Sequence, residues 1–136
     1  MPLIVDTGIL YALADRRDAW HARAMQLFAT DDDERLAPVT VLPEVTYLLH
    51  TRLGPPAALA FVKSLEKREL EIEALRDADV TRAAQVMERY PDLGFVDATI
   101  VAMAERLKVS RLASTDRRHF AVVRPKHVER FELVPS

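Results

Sequence analysis

Apolar residues fall along this chain in short runs separated by longer stretches with helical spacing. Leu3-Ile4-Val5 is a short apolar run closed by Asp6-Thr7-Gly8, the pattern of a buried strand ending in a turn. Ile9 to Ala14 reads as helix, and a second helix is expected from a cap at Asp18 through Phe28. Asp31-Asp32-Asp33-Glu34 reads as a solvated turn, since it lacks the glycine and distal glutamate of a calcium loop. A brief strand is expected at Leu36-Ala37-Pro38-Val39. Thr40 then caps a helix running through Glu44 to Leu53, which Gly54 stops. Pro55-Pro56 opens another helix, with Leu59, Val62 and Leu65 on its expected inner face.

Leu70-Glu71-Ile72-Glu73 alternates as a strand does, and a helix follows from Asp77 or Asp79 through Met87, ended by Pro91. Phe95 to Leu107 is apolar nearly all round, which marks a central, largely buried helix. Arg111 to Ser114 and Phe131 to Val134 complete the strands. Short strands alternating with helices indicate an α/β fold with a mainly parallel sheet of four or five strands.

Composition narrows this reading. The 136 residues suit one domain, taken as 1–136, with no repeat or linker. There are no cysteines, which excludes disulfides, thiolate zinc sites and cysteine catalysis. No apolar run approaches membrane-spanning length, and the start lacks a signal-peptide pattern, so a soluble cytoplasmic protein is expected. The net charge of −2 is unevenly spread. Glu105 to Ser136 holds eight Lys/Arg against four Asp/Glu, a local +4 that leaves −6 for the rest. A basic quarter on an acidic body reads either as a solvated face or as a phosphate-contact surface.

Four carboxylates carry the candidate chemistry. Asp6 and Asp116 each follow a predicted strand, where ligand sites form in open parallel sheets. Each reads equally as a turn or helix cap. Asp97 lies in the first turn of the most apolar helix, where a carboxylate needs a hydrogen bond, a partner or a cation. It also reads as a helix-start carboxylate favoured by the macrodipole. Glu44 borders an apolar helix face and by itself reads as a surface glutamate. Asp92, after Pro91, is a lesser candidate. If these groups converge, their repulsion calls for a cation. Oxygen ligands without cysteine or clustered histidine favour magnesium or manganese over zinc. His21, His50, His119 and His127 are scattered, so no histidine metal site is expected. Trp20, Tyr47 and Phe61 are expected in the core or a dimer interface.

The segments Ile4-Val5-Asp6-Thr7-Gly8, Pro43-Glu44-Val45, Gly94-Phe95-Val96-Asp97-Ala98 and Ser114-Thr115-Asp116-Arg117-Arg118-His119-Phe120 together resemble a PIN domain. More closely, they resemble a VapC-type toxin of a bacterial toxin–antitoxin pair, and the resemblance spans essentially the whole chain. It implies a PIN-like three-layer sandwich and a Mg²⁺-dependent endoribonuclease, with Mn²⁺ as substitute. It makes Asp6 and Asp97 the principal metal ligands, with Glu44 and Asp116 binding directly or through water. It adds a supporting hydroxyl at Thr7 and another at Ser114 or Thr115. The implied reaction is in-line attack by a metal-activated water, leaving a 5′-phosphate and a 3′-hydroxyl. Arg16, Arg117 and Arg118 are candidate RNA contacts. Implied partners are a VapB-type antitoxin, a second copy in a homodimer, and a tRNA or rRNA substrate. The Tyr90-x-Asp92-Leu93 segment and the Arg-Arg-His-Phe ending resemble the subgroup that cuts the sarcin–ricin loop. Two alternatives remain open. One is a non-catalytic PIN-fold module binding RNA or a partner. The other is a different Mg²⁺-dependent phosphoryl hydrolase, although the dehalogenase-type pattern wants Asp-x-Asp where Asp6 is followed by Thr7-Gly8.

Overall fold

The computed structural model describes residues 2–136. Strands β1 (Leu3–Val5), β2 (Arg35–Pro38), β3 (Glu71–Glu73), β4 (Arg111–Ala113) and β5 (Glu132–Val134) form one sheet in the order β3-β2-β1-β4-β5, with every pairing parallel. Helices α1 (Thr7–Ala14) and α2 (His21–Thr30) join β1 to β2, and α3 (Val41–Leu53) and α4 (Pro55–Glu66) join β2 to β3. Helices α5 (Asp77–Arg89) and α6 (Phe95–Leu107) then cross back to β4, and the short α7 (Arg117–Val122) leads to β5.

The chain first steps outward from β1 to β3, then returns and steps outward again through β4 and β5. Right-handed crossovers therefore place α1–α4 on one face of the sheet and α5–α7 on the other. The contacts follow this division: α1 packs on α2 and α3, α3 on α4, and α5 on α6. β1 lies fully buried between the layers, and α6 is buried continuously from Ala98 to Glu105. No helix among the described residues is long and apolar enough to cross a membrane.

Four local expectations change. Asp18 does not cap α2. Its Oδ1 accepts from the Trp20 amide at 2.8 Å in a turn, and the helix starts at His21. Thr40 makes no capping bond, and its hydroxyl instead meets Thr99 Oγ1 at 2.8 Å. The turn at 31–34 is not simply solvated, because Arg111 Nη2 lies 2.5 Å from Asp31 Oδ2 and Nη1 pairs with Asp33. In α4, Leu59 and Val62 face outward while Ala57, Ala58, Phe61 and Leu65 pack on the core. Both sets have helical spacing, so periodicity alone does not choose between them.

Candidate active site

β1 and β4 are neighbours from which the chain departs in opposite directions, and such a switch point opens a crevice beyond the strand ends. Asp6 follows β1 directly and is nearly inaccessible, at 6% exposure. One carboxylate oxygen accepts from the Ile9 amide at 3.2 Å and so caps α1. The other accepts from the Ser114 hydroxyl, just past β4. Ser114 is fully buried, and its oxygen also accepts from the Asp116 amide at 2.9 Å. One hydroxyl thus ties the two strand-end aspartates together. The neighbouring Thr115 points elsewhere, toward Gly8. A Cβ on Gly8 would collide with Thr115 Oγ1, so glycine lets α1 start this close to the β4 loop with Thr115 in its present rotamer.

The remaining acids arrive on helix starts. Glu44, in the first turn of α3, accepts from Thr7 Oγ1 at 2.5 Å. Asp97, in the first turn of α6, is half-buried. Asp116 caps α7, accepting from the His119 amide at 3.3 Å. His119 Nδ1 then lies 2.7 Å from Asp116 Oδ2 and 3.6 Å from Asp97 Oδ2, in ion-pair range though without hydrogen-bond geometry.

These groups also feel one another electrostatically. Burial, with smaller contributions from Asp97 and Asp116, pushes the Asp6 carboxyl up to about 7 against the pull of the Ser114 and Ile9 hydrogen bonds. Burial also raises Asp97, reinforced by Asp116 and Glu44 and opposed by His119. Buried carboxylates that repel one another form a cation-seeking set. Ligand atoms of Asp97, Asp116 and His119 lie within 4.8 Å of one another, a spacing that could hold a metal ion. Asp6 and Glu44 are outside that trio and couple to it through their repulsion with Asp97. The donors are hard carboxylate oxygens with one imidazole, a set that suits a divalent cation. The histidine is a departure from the sequence reading, which set all four histidines aside.

The family model for the PIN domain matches residues 3–125, which span this whole arrangement. The chain belongs to the PIN-domain family. Within it, the chain is VapC-type. It is 31% identical to Ribonuclease VapC26 of Mycobacterium tuberculosis over 135 residues, covering 98% of this chain and all of that one. Among solved structures it is similar to M. tuberculosis VapC20, described as a toxin that cleaves the sarcin–ricin loop. The TM-score is 0.79 at 25% identity, over 86% of this chain and 92% of that one. A toxin–antitoxin complex from Klebsiella pneumoniae shares the fold at TM-score 0.70 and 20% identity, over 89% and 92% of the two chains. So does the DNA-bound VapBC2 of Rickettsia felis, at 0.70 and 16% identity over 98% of each.

Within this PIN domain the three candidate arginines separate. Arg16 follows α1, whose eight residues carry the chain about 12 Å away from Asp6, so the fold does not bring it to the acidic crevice. Arg117 is turned inward: Nη1 donates to the Leu133 carbonyl at 3.1 Å and the guanidinium lies 5.0 Å from the Trp20 ring centroid. These contacts hold its side chain against β5 and Trp20. Arg118 is exposed beside His119. Asp92 is exposed in the α5–α6 connection, on a cavity that His119 also lines. Phe61 packs on the core, Trp20 is half-buried between Arg23 and Arg117, and Tyr47 is 67% exposed and so is no core residue.

Proposed function

We propose that this VapC-type PIN domain is the toxin of a type II toxin–antitoxin pair and acts as a divalent-metal-dependent endoribonuclease. The observation that carries the reading is the convergence of Asp6, Asp97 and Asp116 at the β1/β4 switch point, with Glu44 beside them. A bound Mg²⁺, or Mn²⁺ as substitute, supplies Lewis acidity toward a phosphoryl oxygen and lowers the pKa of water. The chain supplies the rest. Asp6 is held rigid by Ser114 and the start of α1, and Asp97 by α6; these two are the principal ligands. Asp116, Glu44 and His119 complete the donor set, and Thr7 fixes the orientation of Glu44. Water attacks phosphorus in line with the departing 3′-oxygen, the P–O3′ bond breaks, and the products are a 5′-phosphate and a 3′-hydroxyl.

Structured RNA is the proposed substrate. The likeness to VapC20 favours a ribosomal RNA loop of the sarcin–ricin kind over tRNA. The partner is a VapB-type antitoxin. Its support is the company of toxin–antitoxin complexes among similar folds, together with an apolar groove of about 570 Å³ between α1, α2 and α4. Leu10, Leu13, Phe28, Ala57 and Phe61 line that groove. A homodimer is the proposed assembly, to be tested by light scattering of the purified chain.

The deciding experiment incubates purified protein with large-subunit rRNA and with tRNA, in Mg²⁺ and in EDTA, and maps the new 5′ ends. Cleavage that requires the ion and disappears in Asp97→Asn and Asp6→Asn is expected. Undiminished cleavage by both variants would overturn the site assignment. RNA binding without any cleavage by the wild type would favour a binding module instead.

A further inference from the structure

We propose that the cavity beside His119, between the α5–α6 connection and α7, is a nucleotide subsite for the RNA residue flanking the scissile phosphate. This rests on the ribonuclease reading above. The cavity measures about 530 Å³, within the ~300–1,000 Å³ range of small-ligand sites. Arg89, Tyr90 and Leu93 line one side, and Arg118, His119 and Val122 the other. His119 belongs to both places, since its Nδ1 is 2.7 Å from Asp116 and 3.6 Å from Asp97. The acidic crevice and this cavity therefore share His119 as a common wall.

The charge pattern supports an anionic, base-bearing occupant. A divalent ion on the crevice carboxylates would serve the scissile phosphate, so the flanking phosphate needs cationic side chains of its own. Arg82, Arg106 and Arg111 are already committed to buried or half-buried carboxylates. Among the described residues, Arg89 and Arg118 form no ion pair, and both are exposed on the wall of this cavity. The apolar part suits a base. Val122 is 60% exposed and gives this wall an apolar surface on which a base can lie. Tyr90 is pre-set: its hydroxyl accepts from the Arg124 amide at 3.1 Å and from Arg89 Nε at 3.3 Å. An immobilised aromatic beside a guanidinium is what recognition of unstacked bases uses. Asp92, the one carboxylate on this lining, repels phosphate and so belongs at the base end, where it accepts from an exocyclic amine.

The test compares wild type with Val122→Asp, Arg118→Ala and Asp92→Asn, all at exposed positions that leave the core intact. Cleavage is measured on a mixed-sequence RNA dodecamer and on versions shortened from either side of the cut. Val122→Asp is expected to raise KM about tenfold with kcat little changed. Arg118→Ala should weaken binding and lower the salt slope by about 1. Asp92→Asn should change base preference at one position next to the cut. All three effects should vanish on substrates lacking the nucleotide on that side. Unchanged KM, salt slope and base preference in an active enzyme would overturn the subsite. If the wild type cleaves no RNA, the ribonuclease reading fails by itself. The subsite is then judged by fluorescence anisotropy with the same dodecamer, where equal affinity of wild type and Val122→Asp overturns it. Normal cleavage combined with lost antitoxin binding would assign the cavity to a protein partner and also overturn it.

Discussion

Replacing Asp6 with asparagine should abolish ion binding yet stabilise the ion-free protein above neutral pH. Asp6 is 6% exposed, and its carboxyl sits at about 7 against an ordinary 3.8, chiefly because burial penalises the charge. A folded-state pKa above the unfolded one means the native state binds the extra proton between those two values. Stability of the wild type therefore falls as pH rises from about 4 to about 7, then levels off. At about 1.36 kcal/mol per pKa unit, the full penalty is about 4 kcal/mol, an order-of-magnitude figure. Asparagine keeps an acceptor for the Ile9 amide and a polar partner for Ser114, but carries no charge to bury. Urea unfolding in EDTA across pH 4 to 8 measures the difference. The gap between Asp6→Asn and wild type should be small near pH 4 and widen by several kcal/mol by pH 7.5. Adding Mg²⁺ should then stabilise the wild type and leave the variant unmoved, since only a native state that binds the ion gains from it. A gap that stays flat across this pH range would refute the reasoning, whatever its size at any single pH.

Three further outcomes follow from neighbouring contacts. Ser114→Ala removes the hydroxyl that bridges Asp6 and the Asp116 amide inside a fully buried pocket. It should cost about 1–3 kcal/mol in urea unfolding and move the Asp6 titration still higher by carboxyl NMR; an unmoved titration would count against the bridge. Gly8→Ala should cost about 1–3 kcal/mol through overpacking against Thr115. In a Thr115→Ala background that cost should largely vanish, whereas strict additivity in the double-mutant cycle contradicts the clash. Arg106→Ala strips the guanidinium that lies 2.9 Å from Asp79, a carboxylate 2% exposed. About 3–5 kcal/mol should be lost at neutral pH. Burial raises the Asp79 carboxyl, but Arg106 and the Arg76 amide outweigh it and hold it below the ordinary range. The wild type should thus lose this contribution only as pH falls below about 4, and thermal melts at pH 7 and pH 3 compare the two regimes.

How much of this was legible in the sequence depended on the range of the forces involved. β1, the end of α3 at Gly54 and the whole of α6 follow from local pattern, because a buried run, a positive-φ glycine and an all-round apolar helix declare themselves within a few residues. Asp97 stood out for the same reason: a charge inside an apolar helix is a local anomaly. What escaped was set by distant partners. Arg111 pairs with Asp31 and Asp33 across about eighty residues, which turned an apparently solvated acidic turn into a clamp at the start of β4. Gly8 meets Thr115 only because two strand ends adjoin. α7 is six residues long, too short for periodicity to emerge, and with it went the placement of His119. The Asx-turn and helix-cap readings of Asp6 and Asp116 also proved compatible with a site. Both aspartates cap helices while facing the crevice. Local capping geometry is thus the means by which the fold aims these carboxylates, rather than a competing explanation for them.

The same geometry explains why the crevice stays short of positive charge. Helices α1, α3 and α6 all begin at the carboxyl edge of the sheet, so their positive ends face the acids. Each helix start is worth about 0.3–1 kcal/mol to a nearby carboxylate, up to about 2 in partly buried settings. For Asp6, the hydrogen bond from the start of α1 already counts toward its position, and its carboxyl still rests at about 7. Asp97 remains raised although it sits in the first turn of α6 and has His119 nearby. Backbone dipoles and one imidazole therefore leave a deficit that neutral hydrogen bonds cannot remove. Two ways of lowering it remain, a proton or a metal ion. Near neutral pH they compete for Asp6, so apparent ion affinity should rise steeply between pH 6 and 7.5 and flatten above it. Calorimetric Mg²⁺ titrations across that range check this, and a pH-independent affinity would mean that Asp6 is already ionised in the ion-free protein.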